Sequence, residues 1–299
     1  MARSTILFLG LAGAAAIGSA AFTIISSPLL GRRSLLTIVA SGIALIIFAS
    51  TRHIQLLSHR SSKRNAKQQT ASNSQHGVGI PQPPMDYNLF VLGSGGHTKE
   101  MLMMMDDGFY HFANSHRRYL ISSGDSMSEN HLEDYEQSLK TLCKSHDSSS
   151  GTYDKRIVTR ARRVHQPLWS TPFTALLSIL DIFPALLVSP DNEVGRKLRY
   201  PSRVFSNGPA TGFFVALAIH LLKMLYIVPE TCMKVIYIES WARISTLSLT
   251  GKLLLHTGIA DVFVVQHEEV AIRYGVQNAG EIVFNSRRLD DIEPSPVKC

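Results

Sequence analysis

The sequence predicts an α/β protein with a Rossmann-like, doubly wound and mostly parallel sheet, preceded by one or two N-terminal transmembrane helices. After residue 86, short β-branched or aromatic runs alternate with helical segments, which is typical of parallel sheets. Before residue 51, two long uncharged apolar stretches have the composition of membrane spans. Polar or glycine-rich turns follow most of the strand-like runs, at the positions where open α/β sheets bind ligands.

The net charge of +7 belongs to the N-terminal region of the chain. Residues 1–85 contain eight Lys or Arg and no Asp or Glu, so residues 86–299 hold 22 basic and 23 acidic residues. A nucleic-acid-binding domain is expected to carry its own basic face, so we expect no nucleic-acid partner. The three cysteines show no metal-site or disulfide spacing, which fits a reducing compartment.

The membrane anchor is predicted within residues 1–51. Residues 5–26 form an uncharged stretch of 22 residues, and residues 34–50 form a second of 17, which is the lower limit for a span. A two-span hairpin and a single span with an interfacial helix both remain open. Residues 5–26 also fit a signal peptide, in which case the second stretch would remain as the anchor.

Residues 52–86 read as a basic, flexible linker. Five basic residues come first, and Ser, Gly and Pro then dominate, with almost no large apolar side chain to bury. The positive-inside rule places this basic flank, and the domain that follows, in the cytosol. The remaining chain divides into a Rossmann-like domain over residues 87–285 and a loose charged tail over residues 286–299.

The domain opens with a strand over residues 89–92, a tight turn and a helix. The turn consists of Gly93, Ser94, Gly95 and Gly96, and His97 and Thr98 begin the helix. Glycines allow close backbone approach, and a helix start presents free N–H groups and a positive dipole end. This order predicts a phosphate or diphosphate site, although the spacing matches neither a P-loop nor the G-x-G-x-x-G fingerprint.

Six further strands are predicted at residues 118–123, 155–160, 203–206, 234–238, 261–266 and 280–285. We expect the polar residues after these strands to share one edge of the sheet and to line a cleft; they include Asp125, Asn207, Gly208, Thr211, Glu239, Ser240 and Arg243.

No metal cluster is recognisable, and neither a metal nor a cofactor is expected. The apolar helix predicted over residues 168–188 carries a stripe including Leu177 and Leu180, which we expect to pack on the sheet rather than on a membrane.

Several motifs in the same order resemble the membrane-anchor subunit of a eukaryotic glycosyltransferase. They are V-L-G-S-G-G-H-T-K-E-M, the S-N-G-P-A-T turn, I-Y-I-E-S-W-A-R-I-S-T-L-S-L-T-G-K-L and V-F-V-V-Q. The resemblance extends over nearly all of residues 88–267. That enzyme adds the second N-acetylglucosamine of the dolichol-linked oligosaccharide, on the cytosolic face of the endoplasmic reticulum. The family is similar to the N-terminal, acceptor-binding half of a GT-B glycosyltransferase.

The resemblance implies a subunit that binds dolichyl-diphosphate-N-acetylglucosamine and recruits a small catalytic subunit, which binds UDP-N-acetylglucosamine. Under it, the turn residues, Thr98 and Arg243 would hold the acceptor diphosphate. His97 would orient the diphosphate or take the hydroxyl proton, or it would only cap the helix; Glu239 and Asp125 are alternative bases. The subunit would be inactive alone, since 214 residues after the linker are few for two Rossmann-like halves.

Two features depart from the family pattern. Gln266-His267 stands where the family has Gln-Trp, and the usual partner-docking ending is not recognisable in residues 281–299. The loop over residues 189–202 is also longer than usual. Two alternatives to the subunit hypothesis remain, which are a non-catalytic membrane scaffold with a degenerate site and a stand-alone nucleotide-sugar-dependent enzyme.

Overall fold

The computed structural model describes residues 32–71, 85–106, 112–160, 171–208, 210–280 and 282. Within the first helix, side chains are described for residues 38–60. The first candidate span at 5–26 and the tail at 286–299 lie outside these residues, as does the part of the predicted linker over residues 72–84.

Seven parallel strands form one sheet in the order β3-β2-β1-β4-β5-β6-β7. The strands are β1 (Asp86–Leu92), β2 (Ser115–Ser122), β3 (Thr152–Val158), β4 (Arg203–Asn207), β5 (Lys234–Ile238), β6 (Val262–Val265) and β7 (Gln277–Asn278). From β1 the chain adds β2 and then β3 on one side of the sheet. It then crosses to the other side of β1, where β4 to β7 follow in order. The switch point of the fold therefore lies between β1 and β4.

One helix precedes β1, and at least one helix lies in each connection between successive strands, as parallel pairing requires. The helices are α1 (Arg32–Ala71), α2 (Gly95–Asp106), α3 (Ser126–Ser145), α4 (Thr171–Leu187), α5 (Glu193–Lys197), α6 (Ala210–Met224), α7 (Leu249–Thr257) and α8 (Glu268–Tyr274).

The central strand β1 is apolar on both faces because helices cover both sides of the sheet. Leu89 and Val91 belong to a buried cluster shared with α4 and α6. Phe90 and Leu92 belong to a second cluster, shared with α2 and α3 on the other face. This two-sided core fixes β1, and with it the position of the glycine-rich turn that follows.

The predicted fold class is confirmed. The first six predicted strands all occur, and every pair in the sheet is parallel. A short seventh strand, β7, lies at Gln277–Asn278, before the predicted strand over residues 280–285, of which only residues 280 and 282 are among the described residues. Gln277 and Asn278 lack the β-branched character that the prediction relied on, and they pair with Val264 and Val265 through the backbone alone.

Helix α1 corrects the prediction of a flexible linker that begins at residue 52. The helix runs without interruption from Arg32 to Ala71, and residues 52–60 dock on the domain. Arg52 pairs with Glu230 at 2.7 Å, His53 Nδ1 lies 3.0 Å from His220 Nε2, and Arg60 pairs with Asp261 at 2.7 Å. Polar composition suggested a tether, but these side chains find partners far along the chain.

The stripe predicted on α4 is also corrected. Leu177 and Leu180 are exposed, and Ala175, Ile182 and Leu186 form the buried face instead. The buried residues also recur at helical spacing, but they lie on a neighbouring face of the helix. Because the helix is apolar on nearly every side, its sequence pattern does not show which face is buried.

Candidate active site

The glycine-rich turn lies at the point where the strand order reverses. The turn at residues 93–96 follows β1, and the turn at residues 207–208 follows its neighbour β4. In open α/β sheets the crevice between two such diverging connections is the usual ligand site. Helix α2 begins at Gly95, so its first amide groups lie at this crevice without intrahelical partners.

Buried hydroxyl groups hold the turn in shape. Thr98 is fully buried, and its Oγ1 donates to the carbonyl oxygen of Gly93 at 2.7 Å. Ser128 Oγ, from α3, donates to the same carbonyl at 2.8 Å. Thr98 was predicted to contact the diphosphate, but its side chain faces the core and acts on the turn only. Ser94 and Gly96 are the exposed members of the turn.

His97 connects the two turns across the switch point. Its side chain is 31% exposed, and a Cβ atom added at Gly208 would lie 2.7 Å from the imidazole. Gly208 has a φ of 90°, so glycine is required there both by the backbone and by the neighbouring ring. Asn207 Nδ2 donates to the carbonyl oxygen of His97 at 2.9 Å. The imidazole is thus held between β1 and β4, with one side open to solvent.

Glu100, one turn after His97, joins three segments of the chain, namely α2, the loop after β5 and the end of β6. One carboxylate oxygen accepts from Ser240 Oγ at 2.9 Å and lies 3.5 Å from His97 Nδ1. The other accepts from the backbone N–H of Trp241 at 2.6 Å and from Gln266 Nε2 at 2.9 Å. Burial acts to raise the pKa of Glu100, but the hydrogen bonds from these groups outweigh it and hold the pKa below its usual value. Glu100 is therefore a carboxylate beside His97.

Sequence reasoning did not assign Glu100 to the site. An acidic residue in the first turn of a helix is ordinarily explained by the helix dipole. The signal that could have found it is the spacing of His97 and Glu100, which places both on one face of α2.

Glu239, predicted as a catalytic base, is 1% exposed and fully engaged. It accepts from Tyr237 Oη at 3.3 Å and from the backbone N–H and Oγ of Ser248, both at 3.1 Å. A Cβ atom at Gly251 would lie 2.0 Å from Glu239 Oε2, so the start of α7 packs directly on the carboxylate. These contacts argue against the predicted role as a base; Glu239 anchors the connection between β5 and α7.

Asp125 also has a structural role. It is the N-cap of α3 and accepts from the backbone N–H of Ser128 at 3.2 Å, while Arg160 lies 3.8 Å from its other oxygen. Its burial leaves little surface for substrate, so the alternative in which Asp125 is the base loses support. Thr211, at the start of α6, is buried and hydrogen-bonds to Ser122 across 3.1 Å.

The connection after β5 carries the remaining predicted site residues. Ser240 is buried beside Glu100, and Arg243 is exposed, with no side-chain hydrogen bond or ion pair in the described part of the chain. His267, which stands in place of the expected Trp, packs on the Trp241 ring at 4.1 Å, and its Nε2 lies 2.7 Å from the Trp241 carbonyl oxygen. This histidine therefore fixes the same loop that Glu100 holds from the other side.

The structure therefore brings together His97, Glu100, Asn207, Gly208, Ser240 and Gln266 at one edge. Within the residues described, no group of three or more His, Cys, Asp or Glu side chains could hold a metal ion. The arrangement offers an exposed imidazole backed by a carboxylate, next to a helix N-terminus that favours anions.

Comparison with known proteins identifies relatives over most of this domain. A family model described as "Oligosaccharide biosynthesis protein Alg14 like" matches residues 88–282. The chain is similar to the UDP-N-acetylglucosamine transferase subunit alg14 of Schizosaccharomyces pombe, with 34% identity over 64% of this chain and 81% of the relative. It is also similar to the human UDP-N-acetylglucosamine transferase subunit ALG14, with 34% identity over 62% of this chain and 77% of the relative.

Among solved structures, MurG of Acinetobacter baumannii matches with 14% identity and a TM-score of 0.34, over 62% of this chain and 43% of that chain. This similarity is too low to bear on the function. The residues matched by the family model include the glycine-rich turn, the switch point and the loop after β5. The chain belongs to the Alg14-like family of oligosaccharide biosynthesis proteins.

Proposed function

We propose that this chain is the membrane-anchoring, acceptor-binding subunit of a two-subunit N-acetylglucosaminyltransferase. Its relatives are named as UDP-N-acetylglucosamine transferase subunits, which supports a subunit role. The acceptor is dolichyl-diphosphate-N-acetylglucosamine, and the donor is UDP-N-acetylglucosamine. The observation that carries the proposal is the position of His97, partly exposed between the two turns of the switch point and 3.5 Å from the Glu100 carboxylate.

The acceptor diphosphate binds at the turn over residues 93–96. The amide groups at the start of α2 donate to phosphate oxygens, and the helix dipole adds favourable electrostatics. Ser94 and Gly96 are exposed at this point, and no heavy atom lies within 4 Å of a Cβ added at Gly96, so the backbone is open to a ligand. Arg243, exposed at the end of β5, supplies a cation to the same diphosphate.

His97 acts as the general base of an inverting transfer. Since its Nδ1 faces Glu100, Nε2 is the nitrogen that takes the proton of the acceptor 4-hydroxyl. The hydroxyl oxygen forms a bond to the anomeric carbon of the donor sugar while the bond from that carbon to UDP breaks, and UDP leaves. Glu100 stabilises the imidazolium that results and fixes the ring orientation.

A second chain supplies the donor site. The strands of the described residues form a single seven-stranded sheet, and one Rossmann-like sheet is one half of a GT-B-like enzyme. The buried residues Asn207, Gly208 and Thr211 then shape the turn after β4 from beneath, at the boundary between the acceptor and donor halves. The partner is a small donor-binding subunit, which this chain recruits to the membrane.

Helix α1 anchors the subunit in the endoplasmic reticulum membrane with the domain facing the cytosol. Residues Ile38–Arg60 are long and apolar enough to cross a bilayer, and little of this stretch is buried against the domain. The basic residues Arg52, Arg60, Lys63, Arg64 and Lys67 lie in the C-terminal part of this stretch and just beyond it, and they favour the cytosolic side.

Reconstitution tests the subunit proposal. The full chain in lipid nanodiscs is assayed for transfer to a short-chain isoprenyl-diphosphate-N-acetylglucosamine, with and without the small donor-binding subunit. We expect transfer only with both chains present. Full activity of this chain alone would overturn the subunit assignment. Undiminished turnover of a His97→Ala complex would instead favour a non-catalytic scaffold.

A further inference from the structure

The connection between α6 and β5 presents three consecutive large apolar residues to solvent. Leu225, Tyr226 and Ile227 are 59%, 65% and 48% exposed. Tyr226 has a φ of 58°, an uncommon conformation for a non-glycine residue, and it turns the chain so that all three side chains point outward. Three adjacent exposed residues of this kind form an apolar tip, which is more than the single scattered residues usual on a soluble surface.

The apolar tip lies beside the end of the membrane-spanning part of α1. The Arg52 guanidinium lies 3.9 Å from the centre of the Tyr226 ring and donates to the carbonyl oxygen of Lys223 at 3.2 Å. On α1, Ile47 and Phe48 are exposed, whereas Arg52 and His53 are buried against α6. The helix therefore leaves the domain at the level of Tyr226, and residues N-terminal to that level face lipid if α1 crosses the membrane.

Basic side chains flank the same tip. Tyr200 Oη donates to the carbonyl oxygen of Ile227 at 3.5 Å, which brings the loop over residues 189–202 against the tip. Arg199 in that loop is exposed, and its guanidinium lies 5.3 Å from the centre of the Tyr200 ring. Aromatic residues with adjacent cations are typical of the membrane interface, where rings sit at the head-group level and cations meet anionic lipids.

We infer that Leu225, Tyr226 and Ile227 insert into the lipid interface beside α1. This second contact, together with the docked residues 52–60, holds the domain in one orientation on the membrane, where a single span on a flexible linker would let it rotate. The inference rests on the proposed function only through the membrane crossing of α1.

Tryptophan fluorescence in the full chain tests the insertion. Leu225→Trp is compared with the matched control Ile272→Trp, which replaces an exposed apolar residue on α8 that is more accessible than Leu225. Each protein is reconstituted in phosphatidylcholine–phosphatidylserine vesicles with and without brominated acyl chains, and the signal of the wild-type protein, from Trp169 and Trp241, is subtracted. We expect the residue 225 emission to be blue-shifted in both kinds of vesicle and to be quenched by the brominated acyl chains, while the residue 272 emission is neither shifted nor quenched.

The possible outcomes distinguish the insertion of the apolar tip from the anchoring of the chain by α1. Flotation of the chain with vesicles after alkaline washing reports the anchor. Flotation without selective quenching at residue 225 overturns the insertion and leaves the anchor standing. Equal quenching at residues 225 and 272 overturns it as well, because the contact would not be specific to the tip. A chain that does not float overturns both.

Discussion

Glu100 and Glu239 are both buried carboxylates at the carboxyl edge of the sheet, yet they do different things. Glu239 takes its hydrogen bonds from Tyr237, Ser240 and Ser248, all within one strand and the loop that follows it. Glu100 takes its hydrogen bonds from β5 and β6 loops far along the chain, and it also faces the exposed His97. A carboxylate with local partners stabilises one loop, whereas one with distant partners assembles a site.

Among the substitutions that test this comparison, removal of the His97 imidazole should have the largest effect on turnover. His97→Ala should lower the turnover of the two-subunit complex by about 10²–10⁴-fold, the usual contribution of a general base. Single-turnover transfer with saturating acceptor measures it. His256→Ala, which removes an exposed histidine from α7, is the matched control and should retain wild-type turnover.

Glu100→Gln should lower turnover by about 10–100-fold, corresponding to one hydrogen bond to a charged group worth about 1.5–3 kcal/mol. The amide keeps the size of the side chain but cannot stabilise an imidazolium. The measurement is the rate of the complex at saturating substrates, together with the acceptor KM, which should change less than the rate. Equal losses for Glu100→Gln and Glu239→Gln would show that the two carboxylates do not differ in function.

Glu239→Gln should act on stability. Its amide group would face the N–H of Ser248, leaving buried donors without an acceptor, which costs about 1–3 kcal/mol. Chemical denaturation of the detergent-solubilised chain measures the loss. Turnover per folded molecule should stay within twofold or so of wild type, since Glu239 does not reach the reacting groups in this account. A rate loss as large as that of His97→Ala would restore Glu239 as a base.

The pH dependence of stability gives the smallest expected effect. Because the folded-state pKa of Glu100 lies below the ordinary value of 4.5, its carboxylate contributes stability that is fully present above that pH. The contribution is lost as the pH falls through the folded-state pKa. The free energy of unfolding of wild type should therefore approach that of Glu100→Gln at acidic pH. A difference that grows on acidification would contradict the assigned direction.

The sequence was sufficient for the fold and for placing the glycine-rich turn at the carboxyl edge of the sheet. The strand, glycine turn and helix at residues 89–98 are local patterns, and a parallel sheet places all strand ends at one edge. The role of Glu100 could not be predicted from the sequence. Its partners Ser240, Trp241 and Gln266 come close to it only when the sheet forms with β5 and β6 on the β4 side of β1. Composition likewise misread residues 52–60 as a linker, because Arg52 and Arg60 meet Glu230 and Asp261 only in the folded chain.

Acceptor binding at the turn tests the central claim most directly. Isothermal titration of the full chain in nanodiscs with a short-chain isoprenyl-diphosphate-N-acetylglucosamine compares wild type, Gly96→Ala and Gly96→Asp. Both substitutions fit, since nothing lies within 4 Å of a Cβ at Gly96, but aspartate brings a negative charge to the helix N-terminus. We predict binding by wild type and Gly96→Ala and loss of binding by Gly96→Asp. Equal binding by all three proteins would contradict the placement of the acceptor diphosphate at this turn.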